Sequence, residues 1–308
     1  MRQAALGAIY ELARRDPRVL FIGSDIGAGT LEAFKREMPE RFFMEGVSEG
    51  HLVGMMTGLA LTGKIPYLNT IATFLTRRCY EQVLLDAGLH RAKIRLVGSG
   101  GGTVYAPLGP THLALEDFAL MRTVPHMAVL APSDAEEVRR MIPETLDYPR
   151  PVYIRLAKGG DPVVSRPDIP FRIGKGALLR EGKDAQLGSC GITTKIAQDA
   201  ALELEGAGIS AAVLHLGSIK PFDAETLREW MSRVRAVVSI EEHCIQGGLS
   251  SAVAETLAEA NFDRPRKFAR IGFPDAFLHE YGSQDFLMGK YGISRDNLTA
   301  KVKKLLEN

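Results

Sequence analysis

Two short segments carry residue types that can do chemistry. In Gly46-Val47-Ser48-Glu49-Gly50-His51 a loop gives way to helical spacing, which places the Glu49 carboxylate in a first helical turn. A carboxylate there complements the helix dipole by a few tenths to about 1 kcal/mol, so position alone gives it a structural use as readily as a catalytic one. In Gly109-Pro110-Thr111-His112 a turn precedes apolar spacing from Leu113 to Met121, which predicts a helix with a histidine at its start. That turn follows Gly98-Ser99-Gly100-Gly101-Gly102, a glycine-rich stretch directly after an apolar run. The glycines have neither the spacing of a dinucleotide fingerprint nor the Gly-Lys-Ser/Thr ending of a phosphate loop.

Other candidates read more plainly as structure. Phe74, within Thr70-Ile71-Ala72-Thr73-Phe74-Leu75-Thr76-Arg77, is by itself a core aromatic. Asp25, closing Gly23-Ser24-Asp25 after the first apolar run, is either a helix cap or a ligand contact. Glu241-Glu242-His243 has the composition of a metal or acid–base cluster. Consecutive strand residues point in different directions, however, so a structural or interfacial use is expected.

The elements that must position these residues alternate along the chain. Leu6, Ile9, Tyr10 and Ala13 recur at helical spacing, and Val19 to Ile22 form a short continuous apolar run. Leu52, Met55, Met56 and Leu59 mark a second helix, with Ser48 at its cap and Gly63 at its stop. Ile94 to Val97, Met127 to Leu130 and Val152 to Leu156 read as buried strands, with a helix over 134–146 between the last two. Continuous apolar strands separated by helices predict an open, doubly wound, mostly parallel α/β sheet covered on both faces. The Gly- and Pro-rich stretch from Lys158 to Pro170 reads as a linker, and then the pattern restarts. Strands are expected over 210–216 and 234–240, and helices over 224–232, 249–260 and 296–306, giving a second, smaller α/β domain. The boundaries are 1–165 and 175–308.

Composition excludes several classes. A 308-residue chain with 45% hydrophobic and 24% charged residues has the balance of a soluble two-domain protein. A formal net charge of +1 gives no electrostatic case for nucleic acid or an anionic membrane. No apolar run approaches the ~20 residues needed to span a bilayer. Residues 1–15 read as an amphipathic helix rather than a cleavable signal, which makes the cytoplasm the expected compartment. Cys79, Cys190 and Cys244 are odd in number and widely spaced, so neither a disulfide framework nor a zinc site is expected.

Taken in order, Phe42 through Glu49, Thr70 through Arg77, Gly109-Pro110-Thr111-His112, Ala131-Pro132-Ser133-Asp134, Ile219 through Asp223, and Glu241-Glu242-His243 with Gly247-Gly248 resemble the pyrimidine-binding and carboxyl-terminal domains of transketolases. The match runs over nearly the whole chain. The resemblance implies a thiamine-diphosphate enzyme in which Glu49 hydrogen-bonds the aminopyrimidine ring and favours the imino tautomer that activates the cofactor. It also implies that Phe74 stacks on that ring, with Ile71 where many relatives carry a second aromatic. Asp25 and Arg77 fall near the cofactor, and His112 beside its amino group and the donor sugar.

The same resemblance implies a missing half. No Gly-Asp-Gly occurs to hold a diphosphate through a cation. The diphosphate and its Mg2+ or Ca2+ are therefore expected on an amino-terminal partner subunit, in an α2β2 assembly inactive without it. Gly100 and Leu108 stand where ordinary transketolases place a histidine and an aspartate against sugar hydroxyls. Lys158 replaces an arginine on the sugar phosphate, and Arg2 aligns with another anion contact. Those changes imply an anionic but unusual ketose, branched or otherwise modified. Two other readings remain: the beta subunit of a 2-oxo acid dehydrogenase component, and a non-catalytic subunit.

Overall fold

The computed structural model describes residues 1–24 and 31–307. Its first six strands are β1 (Val19–Gly23), β2 (Phe42–Met44), β3 (Ile65–Ile71), β4 (Arg95–Ser99), β5 (Ala128–Leu130) and β6 (Val152–Leu156). There follow β7 (Ala177–Arg180), β8 (Ala185–Ser189), β9 (Ala211–His215), β10 (Ser218–Lys220), β11 (Ala236–Cys244) and β12 (Lys267–Phe273). The first sheet has the order β10-β5-β6-β4-β3-β1-β2 and the second β12-β11-β8-β9-β7. Pairing is parallel except at β10 and β7, each antiparallel at an edge. Two α/β domains with mostly parallel sheets are thus present.

Every residue of β1, β3, β4 and β6 is buried, as strands covered on both faces must be. Neighbouring residues feed opposite cores because side chains alternate along a strand. Phe21, Tyr67, Val97 and Ile154 pack with Leu6, Ile9, Val138 and Met141 of the Arg2–Arg15 and Ala135–Leu146 helices. Ile22, Leu68, Leu96 and Tyr153 pack with Leu52, Met56, Phe118 and Met121 of the Glu49–Leu61 and Asp117–Thr123 helices.

Two expectations are corrected. The helix expected from Leu113 starts only at Asp117 and runs to Thr123. Before it, Ala114 exchanges backbone hydrogen bonds with Gly102 at 2.9 and 3.1 Å, which holds that backbone extended. Ser48 does occupy the cap position of the Glu49–Leu61 helix, but its hydroxyl donates to the Glu45 carbonyl instead of accepting from the helix.

Residues 158–170 contain no helix or strand. Asp134 pins this segment, accepting from the Val164 and Ser165 backbone N–H groups at 2.8 and 2.6 Å while capping its own helix through Glu137 N. β10 comes from beyond the linker yet joins the first sheet, so backbone pairing with β5 ties the chain after the linker to the first domain. Among the described residues no helix is long and apolar enough to cross a membrane.

Candidate active site

The carboxyl ends of the parallel strands open on one edge of the first sheet, where folds of this kind bind ligands. Along that edge β6 leads to Lys158, β4 to Gly100, β3 to Ile71 and Phe74, and β2 to Glu49. Asp25, after β1, lies outside the described residues.

Glu49 opens its helix with only 1% of the residue exposed. A carboxylate so deeply buried needs a partner. Arg78 supplies it: Nη1 donates to Glu49 Oε2 at 2.6 Å, while the arginine side chain remains 46% exposed above the carboxylate. The same guanidinium lies 4.1 Å from the centre of the Phe74 ring, a cation–π stack. His112 meets the same phenyl ring edge to face, with centroids 5.3 Å apart. Glu49, Phe74 and His112 are therefore brought into one group, and Ile71 is buried at the end of β3 just before it.

Arg77 does something else. Its Nη2 donates to the Thr111 carbonyl at 2.9 Å and its Nε lies 3.0 Å from Glu116 Oε1, so it braces the turn that carries His112. The Thr111 hydroxyl engages His112 Nδ1 at 2.9 Å. The arginine facing Glu49 is Arg78, which the sequence reasoning missed. The available signal was its spacing: Arg78 follows Phe74 by four residues, the interval that places two side chains on one helical face. Beneath the ring, the Cys79 thiol donates to the Phe74 carbonyl, and burial, with the Glu49 charge adding to it, pushes that thiol up to about 12.

The glycine-rich loop is shaped by its neighbours. A Cβ at Gly100, whose φ is +72°, would fall 2.1 Å from the Tyr105 ring. At Gly109, with φ +76°, it would fall 2.7 Å from the ring of Tyr281 in the second domain. Leu108 stands out to solvent between them. Lys158 is exposed, and Ala157 N donates to Met1 Sδ at 3.5 Å, which brings the start of the Arg2 helix to the end of β6. Neither Arg2 nor Lys158 belongs to the Glu49–Phe74–His112 group. Beside Arg77 and Pro110 an open cleft of about 410 Å³ runs between the domains to Phe277 and Leu278.

The group offers a buried carboxylate, the face of an aromatic ring and an imidazole. A flat heterocycle with nitrogen on its edge fits that set, ring on ring and nitrogen toward carboxylate. Asn69 Oδ1 in β3 and Thr73 Oγ1 just after it are buried without hydrogen-bond partners among the described residues. Among those residues no three His, Cys, Asp or Glu are grouped to hold a metal.

Comparison with known proteins settles the family. Residues 1–160 match the model for the transketolase pyrimidine-binding domain, and residues 174–298 that for the transketolase C-terminal domain. The chain belongs to the transketolase family. This transketolase chain is 34% identical over 308 residues to the 6-deoxy-6-sulfo-D-fructose transketolase subunit SqwH of Clostridium sp. (strain MSTE9), covering 100% of the chain and 94% of the relative. It is also 34% identical over 299 residues to an apulose-4-phosphate transketolase subunit of Phocaeicola vulgatus, covering 96% and 94%. A solved split gene transketolase, an inactive beta4 tetramer, superposes with a TM-score of 0.89 at 36% identity, covering 99% of this transketolase chain and 97% of that one. Family membership implies thiamine diphosphate as the cofactor.

Proposed function

We propose that this chain is the carboxyl-terminal subunit of a split transketolase that moves a two-carbon ketol unit from an anionic ketose to an aldose. The diphosphate and its Mg2+ or Ca2+ belong to an amino-terminal subunit, in a cytoplasmic α2β2 assembly with the cofactor between unlike chains. The domain boundary in this chain falls between residues 165 and 175. The observation that carries the reading is the burial of Glu49 beside an arginine that lies over the Phe74 ring, at the carboxyl edge of the sheet.

When bound, thiamine diphosphate supplies the electron sink for carbon–carbon cleavage. The chain's own residues orient and protonate. Glu49 would hydrogen-bond the ring nitrogen, Phe74 would stack on the ring and fix its plane, and Ile71 would lie beside it. His112 is held through Nδ1 by Thr111, and Nε2, without a hydrogen-bond partner among the described residues, is the nitrogen that can pass a proton to or from the donor sugar.

Two features support an unusual donor. Tyr105 covers Gly100, so the space a side chain would take there is filled by an aromatic ring. Leu108 offers no hydrogen bond, and a hydroxyl left unmatched is costly to desolvate. Arg2 and Lys158 come from adjoining segments at one corner of the sheet edge, suited to an anionic group. The relatives are named for 6-deoxy-6-sulfo-D-fructose and apulose-4-phosphate, anions both.

Reconstitution with the amino-terminal subunit and a screen of ketose donors tests this reading. It predicts turnover only when both chains are present, and a preference for a modified anionic ketose. Turnover by this chain alone contradicts the shared site, and xylulose 5-phosphate as the best donor by far contradicts the substrate class.

A further inference from the structure

Arg78 has no place in the roles just assigned, yet it makes the closest contact that Glu49 has. Its guanidinium is a planar cation with an N–C–N edge. One nitrogen donates to the buried carboxylate at 2.6 Å, and the guanidinium carbon lies over the Phe74 ring, 4.1 Å from its centre. An aminopyrimidine bound as proposed would present the same features to the same two residues: a flat ring on Phe74 and a nitrogen edge toward Glu49. One seat between a carboxylate and a phenyl face does not hold both. The arginine side chain is 46% exposed against 1% for Glu49, so the occupant lies on the side from which a ligand arrives.

We infer that Arg78 is a resident occupant of the aminopyrimidine seat, and that the cofactor enters by displacing it. The inference rests on the assignment of Glu49 and Phe74 to that ring. The device suits a subunit whose site is completed elsewhere. An unpaired buried carboxylate is costly, and the guanidinium keeps Glu49 partnered until a ring replaces it. The long, flexible arginine stem lets the head swing out while its backbone stays in place. Apparent affinity then falls by the fraction of chains whose seat is open.

The test is calorimetric titration of 4-amino-2,5-dimethylpyrimidine, the ring without diphosphate or thiazolium, into the isolated full chain. Variants are Arg78→Ala, Arg78→Met, Glu49→Gln, and Arg78→Met combined with Glu49→Gln. Arg78→Met keeps most of the stem and replaces Arg78→Ala if the latter does not fold. Displacement predicts that removing the guanidinium tightens ring binding by about tenfold, as expected for a seat open one-tenth of the time, and that Glu49→Gln cancels the gain. Thiamine diphosphate should likewise bind the reconstituted two-chain enzyme more tightly when Arg78 is replaced. Unchanged or weaker ring binding in the Arg78 variants, with Glu49→Gln still harmful, overturns the inference and leaves the function of Glu49 standing. Binding indifferent to both residues overturns the assignment of the seat itself.

Discussion

Glu242 of the second domain accepts hydrogen bonds from both the backbone N–H and the hydroxyl of Thr103, each at 2.7 Å. Thr103 sits at the base of the loop that runs from Gly100 to His112. Gln284 donates to the same carboxylate oxygen at 2.8 Å, and Arg155 Nη2 donates to the Glu242 carbonyl at 2.6 Å. Tyr281 covers Gly109 near the other end of the loop. The second domain therefore grips the glycine-rich segment at two points, and it shapes the site as well as extending the chain.

Breaking that grip should be expensive. Glu242→Ala removes a buried acceptor and leaves three donors unanswered, two from Thr103 and one from Gln284, so a loss of about 3 kcal/mol is expected in urea unfolding of the isolated chain. Thr103→Val keeps the backbone donor and should cost only about 1 kcal/mol. Equal effects from the two variants would show that the carboxylate does not anchor the loop.

His112→Ala should lower ketol transfer by about a hundredfold, the contribution typical of a positioned proton-transfer group. Cofactor affinity should stay near wild type, because His112 packs on Phe74 and, among the described residues, makes no hydrogen bond with Glu49. Thr111→Val, which frees Nδ1, should give a smaller loss of rate. A large fall in cofactor affinity with unchanged turnover would assign His112 to binding instead.

The three cysteines are free, and Cys79 and Cys190 are buried while Cys244 is partly exposed. Burial raises all three thiols, that of Cys79 to about 12. A thiol reagent at neutral pH should therefore label Cys244 slowly in the folded chain, and the other two only after denaturation. Rapid labelling of Cys79 would mean that the Phe74 segment opens.

What the sequence made readable follows from its physics. The apolar runs Val19 to Ile22 and Val152 to Leu156 became β1 and β6, as short continuous runs bounded by turn residues do when a strand is covered on both faces. Glu241-Glu242-His243 read as structural or interfacial, and the three residues do diverge. Glu241 accepts from the Leu249 and Ser250 N–H groups at a helix start, Glu242 grips Thr103, and His243 stacks on Phe118. β10 was not legible, because Ser218–Lys220 pairs with β5 through an open sheet edge that no local pattern announces. The late start of the Asp117 helix was hidden for a similar reason, since the competing partner of Ala114 is Gly102, distant in sequence. The sequence did not single out Arg78 beside Arg77. Adjacent residues leave a helical turn on different sides, and only the structure says which side faces Glu49.

Acid should loosen the junction between the domains. Burial works to raise Glu137, but His215 at 2.9 Å and the donors of Ser133 outweigh it and hold the carboxyl below its ordinary value. Asp134 is likewise depressed, with backbone N–H groups of Glu137, Ser165 and Val164 overcoming burial. A carboxylate depressed in the folded state contributes stability that is full above its unfolded value, about pH 4, and is lost as pH falls through the folded value. Wild type should thus lose stability steeply below about pH 4, and Glu137→Gln should be weaker at neutral pH but flatter in acid. A parallel pH profile in the variant would remove Glu137 from this role.

The central claim is that Glu49 activates the cofactor, and the most direct measurement is ketol transfer by the two-chain enzyme with thiamine diphosphate and magnesium, comparing wild type with Glu49→Gln. Gln keeps the shape and one hydrogen-bonding edge but cannot exchange a proton with the ring. Turnover should collapse in Glu49→Gln while the two chains still assemble. Full turnover in that variant would contradict it.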